Sequence, residues 1–205
     1  MVEAAQPIDK AALVNGEEFD QAKWISQLTY LADNHDKCDI EVFCYFFMEL
    51  CNLFKLMSKA MSLAFQDIMT KAKNILANKE FHSKQGQVDA CKSLQDFIKM
   101  EIGMNVHILN GKDNKKKVTD KKSWQYEYAS TARTALRDMW MLDYLFVMLG
   151  DLVKFPEKKM KDISKNAYDV ALGPHHPWLI RKTASVAVAA VPSKEDFMKK
   201  ANISD

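Results

Sequence analysis

Two arginines one helical turn apart, Arg133 and Arg137, are the residues whose type and spacing most clearly suggest binding chemistry. On a helix with about 100° per residue they share a stripe with mostly apolar residues. These are Tyr126, Ala129, Trp140, Tyr144 and Val147. A guanidinium buried without a partner is costly, so this pair needs carboxylates or a bound anion. Because the planar arginine fork matches phosphate oxygens, the spacing indicates a phosphate site or, alternatively, salt bridges to another helix.

A second charged pair, Asp67 and Lys71 in FQDIMTK, has the i, i+4 spacing of neighbours on one helix face. The pair lies at the edge of an apolar stripe formed by Met61, Ala64, Ile68 and Ile75. Most pairs of this kind are surface ion pairs worth about 0.3 kcal/mol. Considered alone, the pair therefore indicates an exposed helix face and no more.

The stretch GPHHPWLIRK places His176 two residues before Trp178, at the beginning of a predicted helix. Pro177 suits a first-turn position, where the missing N–H costs nothing. A neutral imidazole can donate a hydrogen bond through one nitrogen and be oriented through the other. An exposed indole is typical of a membrane interface. The stretch is compatible with a binding residue, and equally with a helix cap that carries a structural histidine.

The motifs of common catalytic and metal sites are absent from the sequence. There is no GxxxxGK[ST] phosphate loop, no HExxH and no GxSxG. The five histidines and four cysteines do not have the spacing of zinc ligands. We therefore predict no catalytic residue, no metal and no cofactor. An enzyme such as a lipid hydrolase is disfavoured because no nucleophile stands beside a base.

Length and composition predict one all-α domain spanning residues 1–205. Glycine (6) and proline (5) are scarce, whereas methionine (12) is plentiful. The net charge of +2 is too balanced for a dedicated nucleic-acid-binding protein. The four cysteines form no CxxC pair and read as free thiols of a reducing compartment. An N-terminus without a signal peptide, and no apolar run of about 18 residues, favour a cytoplasmic protein.

The positions of glycine, proline and charged runs predict about eight helices and no strand. The predicted segments are 17–34 with Asn15 as its cap, two helices within 39–78, one in DACKSLQDFIKMEIGM, the longest at 123–153, and three starting at Pro156, Pro177 and Pro192. The lysine-rich stretch LNGKDNKKKVTDKKS is predicted to be a solvated loop. It contains none of the aromatic residues that would stack on bases.

Residues 167–198, AYDVALGPHHPWLIRKTASVAVAAVPSKEDFM, resemble the signature of the glycolipid transfer protein family. CKSLQDFIKMEI, TARTALRDMWMLDYLFVML and FQDIMTKAKNIL are similar to other segments of that family, and the resemblance covers roughly residues 40–199. It implies a two-layer all-α fold that encloses one sphingolipid in an apolar pocket. The protein would move this lipid between membranes without covalent chemistry. It would act as a monomer that contacts membranes transiently.

Within the family, the charged residues resemble those of the branch that binds ceramide-1-phosphate. That branch uses Asp-xxx-Lys and two arginines one turn apart, whereas the sugar-binding branch uses Asp-xxx-Asn and a tryptophan. The resemblance therefore implies that Lys71, Arg133 and Arg137 hold a phosphate. Asp67 and His176 would then bind the ceramide amide. Trp178 would dock on the membrane, and His175 would be a spacer.

Two segments depart from the family pattern. Residues 1–37 form an N-terminal extension with an extra amphipathic helix, which we expect to cover the face that a further C-terminal helix occupies in relatives. The lysine-rich loop at 112–122 looks like an insertion. The alternatives are transfer of a sugar-headed sphingolipid, a sensor that binds the lipid without efficient transfer, and a helical adaptor whose basic cluster is structural.

Overall fold

The structure is a computed structural model that describes residue 16, residues 18–57 and residues 59–201. The described residues contain eight α-helices, two isolated β-bridges and no strand. The helices are α1 (Gln21–Asp33), α2 (Ile40–Met57), α3 (Lys59–Lys84), α4 (Leu94–Gly103), α5 (Thr131–Lys154), α6 (Met160–Ala167), α7 (Trp178–Ala189) and α8 (Lys194–Lys200). The predicted all-α class and helix number are confirmed. The proposed cap Asn15 lies outside the described residues, as do the side chains of Met61 and Ala64.

Three predicted helix properties differ from the structure. The helix predicted at 123–153 begins only at Thr131, because residues 124–126 form a separate 3-10 helix. The longest helix is α3 with 26 residues, whereas α5 has 24. The helix predicted from Pro156 begins at Met160, after a turn in which the Lys158 N–H donates to the Phe155 carbonyl.

Side-chain caps explain why several helices begin where they do. The Asp20 and Ser93 side chains accept hydrogen bonds from backbone N–H groups in the first turns of α1 and α4. Ser193 does the same for α8. Each cap satisfies one of the N–H groups that have no partner within the helix. α3 ends just before Gly86, whose φ of 85° is readily adopted only by glycine.

The chain divides into two compact units, and the prediction of a single domain over 1–205 stays a prediction. The first unit comprises the chain up to Glu49 together with Met69–Leu136. In it the N-terminal helix α1 packs on α2, where Trp24 stacks on Phe46 with ring centroids 5.6 Å apart. The backbone N–H of Asp20 donates to the buried carboxylate of Glu49 at 2.6 Å. The extra helix predicted in the N-terminal extension thus packs against α2 in this unit.

The second unit comprises Leu50–Ile68 and the chain from Arg137 onward. Phe54 and Phe65 stack in its core with ring centroids 3.7 Å apart. The fully buried Tyr144 of α5 shares a 2.7 Å hydrogen bond with Ser164 of α6, which is also fully buried. This bond satisfies two polar groups that would otherwise be costly to bury.

Candidate functional site

In the second unit, the predicted binding histidine, His176, contacts Tyr168. The Tyr168 hydroxyl lies 2.9 Å from His176 Nδ1. Tyr168 opens a π-helical turn, Tyr168–Leu172, which a 3-10 turn follows directly. A Cβ at residue 173 would lie only 3.3 Å from the Tyr168 carbonyl oxygen, so Gly173 permits this close turn. Short π-helical segments are frequent at functional sites, and this one sets the spacing of the pair.

The Tyr168 phenol has a proton that it can share with His176. Burial raises the pKa of Tyr168 above its ordinary value, against the lowering effect of the Arg181 charge, so the phenol keeps its proton at neutral pH. The hydroxyl can donate to Nδ1 or accept from an N–H there, according to the tautomer of the imidazole. In the tautomer in which the phenol donates, the imidazole proton is on Nε2, from which it can be donated to a carbonyl oxygen.

The preceding histidine, His175, has a packing role that the sequence did not reveal. Its ring stacks on Trp140 of α5 with centroids 3.9 Å apart and an interplanar angle of 3°. Both residues belong to the second unit. The stack attaches the 3-10 turn to α5 immediately beside His176, so the residue predicted to be a spacer holds the turn in place.

The arginine pair does not lie on a buried face, and this corrects the expectation from the helical stripe. Arg133 is exposed and Arg137 is half-buried. The buried face of α5 is formed instead by Ala135, Asp138, Met141, Tyr144, Leu145 and Met148. Within α5 the predicted stripe continues through Trp140, Tyr144 and Val147, of which only Tyr144 is buried, so the stripe follows the edge of the buried face. Cations that keep contact with water escape most of the desolvation cost and can exchange that water for an anion.

The second charged pair, Asp67 and Lys71, lies at the edge of a buried helix face, as predicted. Asp67 is exposed and Lys71 is half-buried, one turn apart on α3. The adjoining face is buried through Phe65, Ile68 and Ala72. Asp67 and Arg137 belong to the second unit, as His176 does, whereas Lys71 and Arg133 belong to the first. Joint binding of one headgroup by these five residues remains a proposal.

Sequence analysis did not identify one charged residue near the candidate site. Asp138 follows Arg137 directly and is fully buried on the inner face of α5. Its signal was available, because residues 135, 138, 141 and 145 repeat with helical spacing and only Asp138 among them is polar. Carboxylates are rarely buried unless a partner group compensates them, so this position marks a polar part of the core.

The beginning of α7 displays apolar side chains to solvent. Trp178 is 67% exposed, Leu179 64% and Ile180 46%. Lys182 Nζ lies 5.0 Å from the centroid of the Trp178 indole. An exposed indole beside aliphatic and basic groups has the composition expected of a membrane-contacting surface. None of the described helices is long and apolar enough to span a bilayer.

Comparison with known proteins identifies the family. The family model described as glycolipid transfer protein matches residues 38–203. The ceramide-1-phosphate transfer protein of Danio rerio is 38% identical over 77 residues, which are 37% of this chain and 36% of that protein. The match thus spans about a third of that relative's length.

Solved structures share the fold. The human ceramide-1-phosphate transfer protein in complex with 12:0 ceramide-1-phosphate superposes with a TM-score of 0.72 at 20% identity, covering 91% of this chain and 82% of the human chain. The fungal glycolipid transfer protein HET-C2 superposes with a TM-score of 0.60 at 18% identity, covering 82% and 73%. The family match over most of the chain, together with this fold, shows that the protein belongs to the glycolipid transfer protein family.

Proposed function

We propose that this protein transfers ceramide-1-phosphate between membranes without covalent chemistry. In this proposal Lys71, Arg133 and Arg137 bind the phosphate, and Asp67 and His176 bind the ceramide amide. The names of two relatives support the ligand, since the Danio rerio and human proteins are ceramide-1-phosphate transfer proteins. The protein would act as a cytoplasmic monomer that visits membranes through the exposed Trp178.

The observation that carries the proposal is the accessible arginine pair on α5 of a family member. A phosphate monoester has three oxygens that accept charge-assisted hydrogen bonds, and arginine presents its donors in a matching plane. Arg133 and Arg137 are one turn apart and keep contact with solvent, as does Lys71 on α3. Three cations suit a headgroup with nearly two negative charges better than they suit a neutral sugar.

The geometry at His176 supports amide recognition. We infer that Tyr168 donates to Nδ1 of His176, 2.9 Å away, and that His176 uses its Nε2 proton to bind the amide carbonyl of a ceramide. The exposed carboxylate of Asp67 can accept from the amide N–H and a neighbouring hydroxyl. This donor and acceptor pair distinguishes a sphingolipid amide from the esters of a glycerolipid, which have no N–H to donate.

The physical need for such a protein follows from lipid solubility. Each methylene exposed to water costs about 0.8 kcal/mol, so exposing a dozen costs on the order of 10 kcal/mol. A lipid therefore leaves a bilayer slowly by itself. A protein that shelters the chains while the headgroup is held by charge lowers this barrier without making or breaking a bond.

A transfer assay with two lipids tests the proposal. We would measure vesicle-to-vesicle transfer of labelled ceramide-1-phosphate and of labelled galactosylceramide. We expect transfer of the phosphate lipid, reduced about 10- to 100-fold by Arg137→Ala or His176→Ala, since each removes a hydrogen bond to a charged or buried polar group. His35→Ala, at an exposed histidine of the first unit, is the control and should transfer normally.

The other outcomes identify the competing functions. Preferential transfer of galactosylceramide would contradict the phosphate assignment and favour sugar-lipid transfer, as the likeness to the fungal glycolipid transfer protein would allow. Binding of ceramide-1-phosphate without transfer would favour a lipid sensor. Absence of binding to either lipid, with folded protein, would favour a helical adaptor.

A further inference from the structure

An asparagine of α3, Asn78, joins this helix to the beginning of α5. Its side-chain nitrogen donates to the Ala129 carbonyl at 2.8 Å and to the Thr131 hydroxyl at 3.2 Å. Thr131 is the first residue of α5 and is fully buried, whereas Asn78 is half-buried. All three residues belong to the first unit. A side chain of α3 is therefore bonded to the turn from which α5 starts.

The order of the contacts indicates the direction in which α5 leaves this turn. His82 lies one helical turn after Asn78 on α3, and its Nε2 is 3.1 Å from the Tyr128 hydroxyl. The later residue of α3 thus contacts the residue before α5, and the earlier residue of α3 contacts Thr131. This is the order of two antiparallel segments. α5 therefore extends from Asn78 back towards the part of α3 that carries Lys71.

Two of the cations proposed to bind phosphate lie on the helices that Asn78 joins. Lys71 precedes Asn78 by two helical turns, which is about 10 Å along α3. Arg133 follows Thr131 within the first turn of α5, and both cations keep contact with solvent. Because each cation is carried by its own helix, the distance between their side chains depends on how α3 and α5 are held together.

We propose that Asn78 is a positioning residue for phosphate binding, which holds α5 against α3 so that Lys71 and Arg133 contact the same headgroup. This inference rests on the proposed function. Charge-assisted hydrogen bonds are only about 2.7–2.9 Å long, so a shift of about 1 Å between the helices weakens the contact of one cation. The Glu101 carboxylate of α4 also holds the first N–H groups of α5. Asn78 supplies a bond from the helix that carries Lys71.

A double-mutant cycle tests whether Asn78 acts through Arg133. The affinity of the full chain for ceramide-1-phosphate would be measured by lipid titration, and Arg133→Ala should lower it about 10-fold. Asn78→Ala should lower the affinity about fivefold, the value of one hydrogen bond. In the Arg133→Ala background, Asn78→Ala should change the affinity less than about twofold, because the cation that Asn78 positions is no longer there.

Gln95→Ala is the matched control for loss of a structural amide. Gln95 is also half-buried in the first unit, where it accepts from the Cys38 N–H at 2.9 Å and donates to the His35 carbonyl at 2.7 Å. Asn78→Ala and Gln95→Ala each remove two hydrogen bonds to a distant segment, so both should lower the free energy of unfolding. Only Asn78→Ala should lower the lipid affinity. Equal losses of affinity in the two variants, or an equal effect of Asn78→Ala with and without Arg133, would overturn the proposal.

A distance measurement without lipid separates this proposal from the proposed function. Nitroxide labels on Lys73→Cys of α3 and Leu136→Cys of α5, both exposed positions, report the distance between the helices by electron–electron resonance. Cys38→Ser removes the one cysteine that is not buried. The distance distribution should shift or broaden in Asn78→Ala and stay unchanged in Gln95→Ala. An unchanged distribution in Asn78→Ala would overturn the proposal. If the unaltered chain did not bind ceramide-1-phosphate, the proposed function would be contradicted, while a shifted distribution would still support Asn78 as the residue that positions α5.

Discussion

The Tyr168 hydroxyl shares a 2.9 Å hydrogen bond with Nδ1 of His176, and this bond fixes the orientation of the imidazole ring. Tyr168 is 6% exposed, whereas His176 is half-buried and can reach a ligand. The tyrosine is therefore a positioning residue for the proposed binding histidine. The effect of Tyr168 on lipid affinity should be separable from any effect on folding.

Tyr168→Phe removes the hydroxyl but keeps the ring. We expect the affinity for ceramide-1-phosphate to fall about fivefold, the value of one hydrogen bond, because the His176 ring loses its fixed tautomer. Nitrogen-15 chemical shifts of His176 would report the tautomer directly, with or without lipid. Unchanged His176 shifts in the variant would contradict the assignment of Tyr168 as the donor.

Tyr144→Phe is the matched control within the same unit. It removes a tyrosine hydroxyl that hydrogen-bonds to Ser164, not to a histidine. Since Ser164 is fully buried, the free energy of unfolding should fall by about 1–3 kcal/mol while lipid affinity stays unchanged. Denaturant unfolding and lipid titration of both variants would show whether the two tyrosines differ in this way.

The stack of Trp140 on His175 should contribute measurably to stability. Aromatic pairs with this contact are worth about 1 kcal/mol beyond the area they bury. A double-mutant cycle with Trp140→Leu and His175→Leu should therefore give a coupling free energy of about 1 kcal/mol in denaturant unfolding. A coupling of zero would mean that the stack does not hold the turn that carries His176. His35→Leu with Trp140→Leu is the control cycle.

The buried carboxylate of Glu101 determines where α5 begins. It accepts hydrogen bonds from the backbone N–H groups of Thr131 and Ala132, at 2.6 and 2.8 Å, and from the Tyr128 hydroxyl at 2.6 Å. Glu101→Gln should lower the free energy of unfolding by about 2 kcal/mol, since a neutral amide caps the helix less well and one of its groups cannot accept. Tyr128→Phe should cost about 1–2 kcal/mol, because it removes the bond to Glu101 and the 3.1 Å hydrogen bond between the Tyr128 hydroxyl and His82 Nε2. A larger loss for Tyr128→Phe would contradict a capping role for Glu101.

Buried tyrosines should make the protein unstable at alkaline pH. Burial raises the pKa of Tyr144 to about 12, and burial with the adjacent Glu101 carboxylate raises that of Tyr128 as well. The native state therefore holds these protons more tightly than the unfolded chain, in which tyrosine has a pKa of about 10. Their stabilising effect is complete below about pH 10 and is lost as the pH rises towards 12.

Denaturant unfolding at several pH values measures this effect. For Tyr144 alone the expected loss between about pH 10 and 12 is on the order of 2 kcal/mol. The slope of stability against pH should be shallower in Tyr144→Phe, which has no proton to lose. Parallel slopes in the two proteins would show that Tyr144 does not account for the alkaline loss.

Much of the secondary structure could be predicted because its signals are local. The class follows from scarce glycine and proline, and Gly86 marks the end of α3 through its positive φ. The beginning of α5 could not be predicted, because a distant group determines it. Glu101, thirty residues before Thr131 in the chain, holds the first turn of α5.

The family resemblance identified the candidate site residues. It did not predict which of them are buried and which are exposed. Helical periodicity placed Arg133 and Arg137 on a buried face, but the structure leaves them in contact with solvent and buries Asp138 instead. The predicted stripe was displaced by about one residue, which is about 100° on a helix, from the centre of the buried face.

The sequence by itself determined the helical class, the family and the identities of the residues that could bind a lipid headgroup, because composition, local propensity and motif spacing are properties of neighbouring residues. Only the tertiary structure decided that Tyr168 orients His176 and that Trp140 holds His175. These partners are joined through a π-helical turn, a 3-10 turn and contact between separate segments. Neither the helical nor the strand period continues across such turns, so the sequence pattern does not show that these residues are neighbours. Packing of the folded chain brings them together.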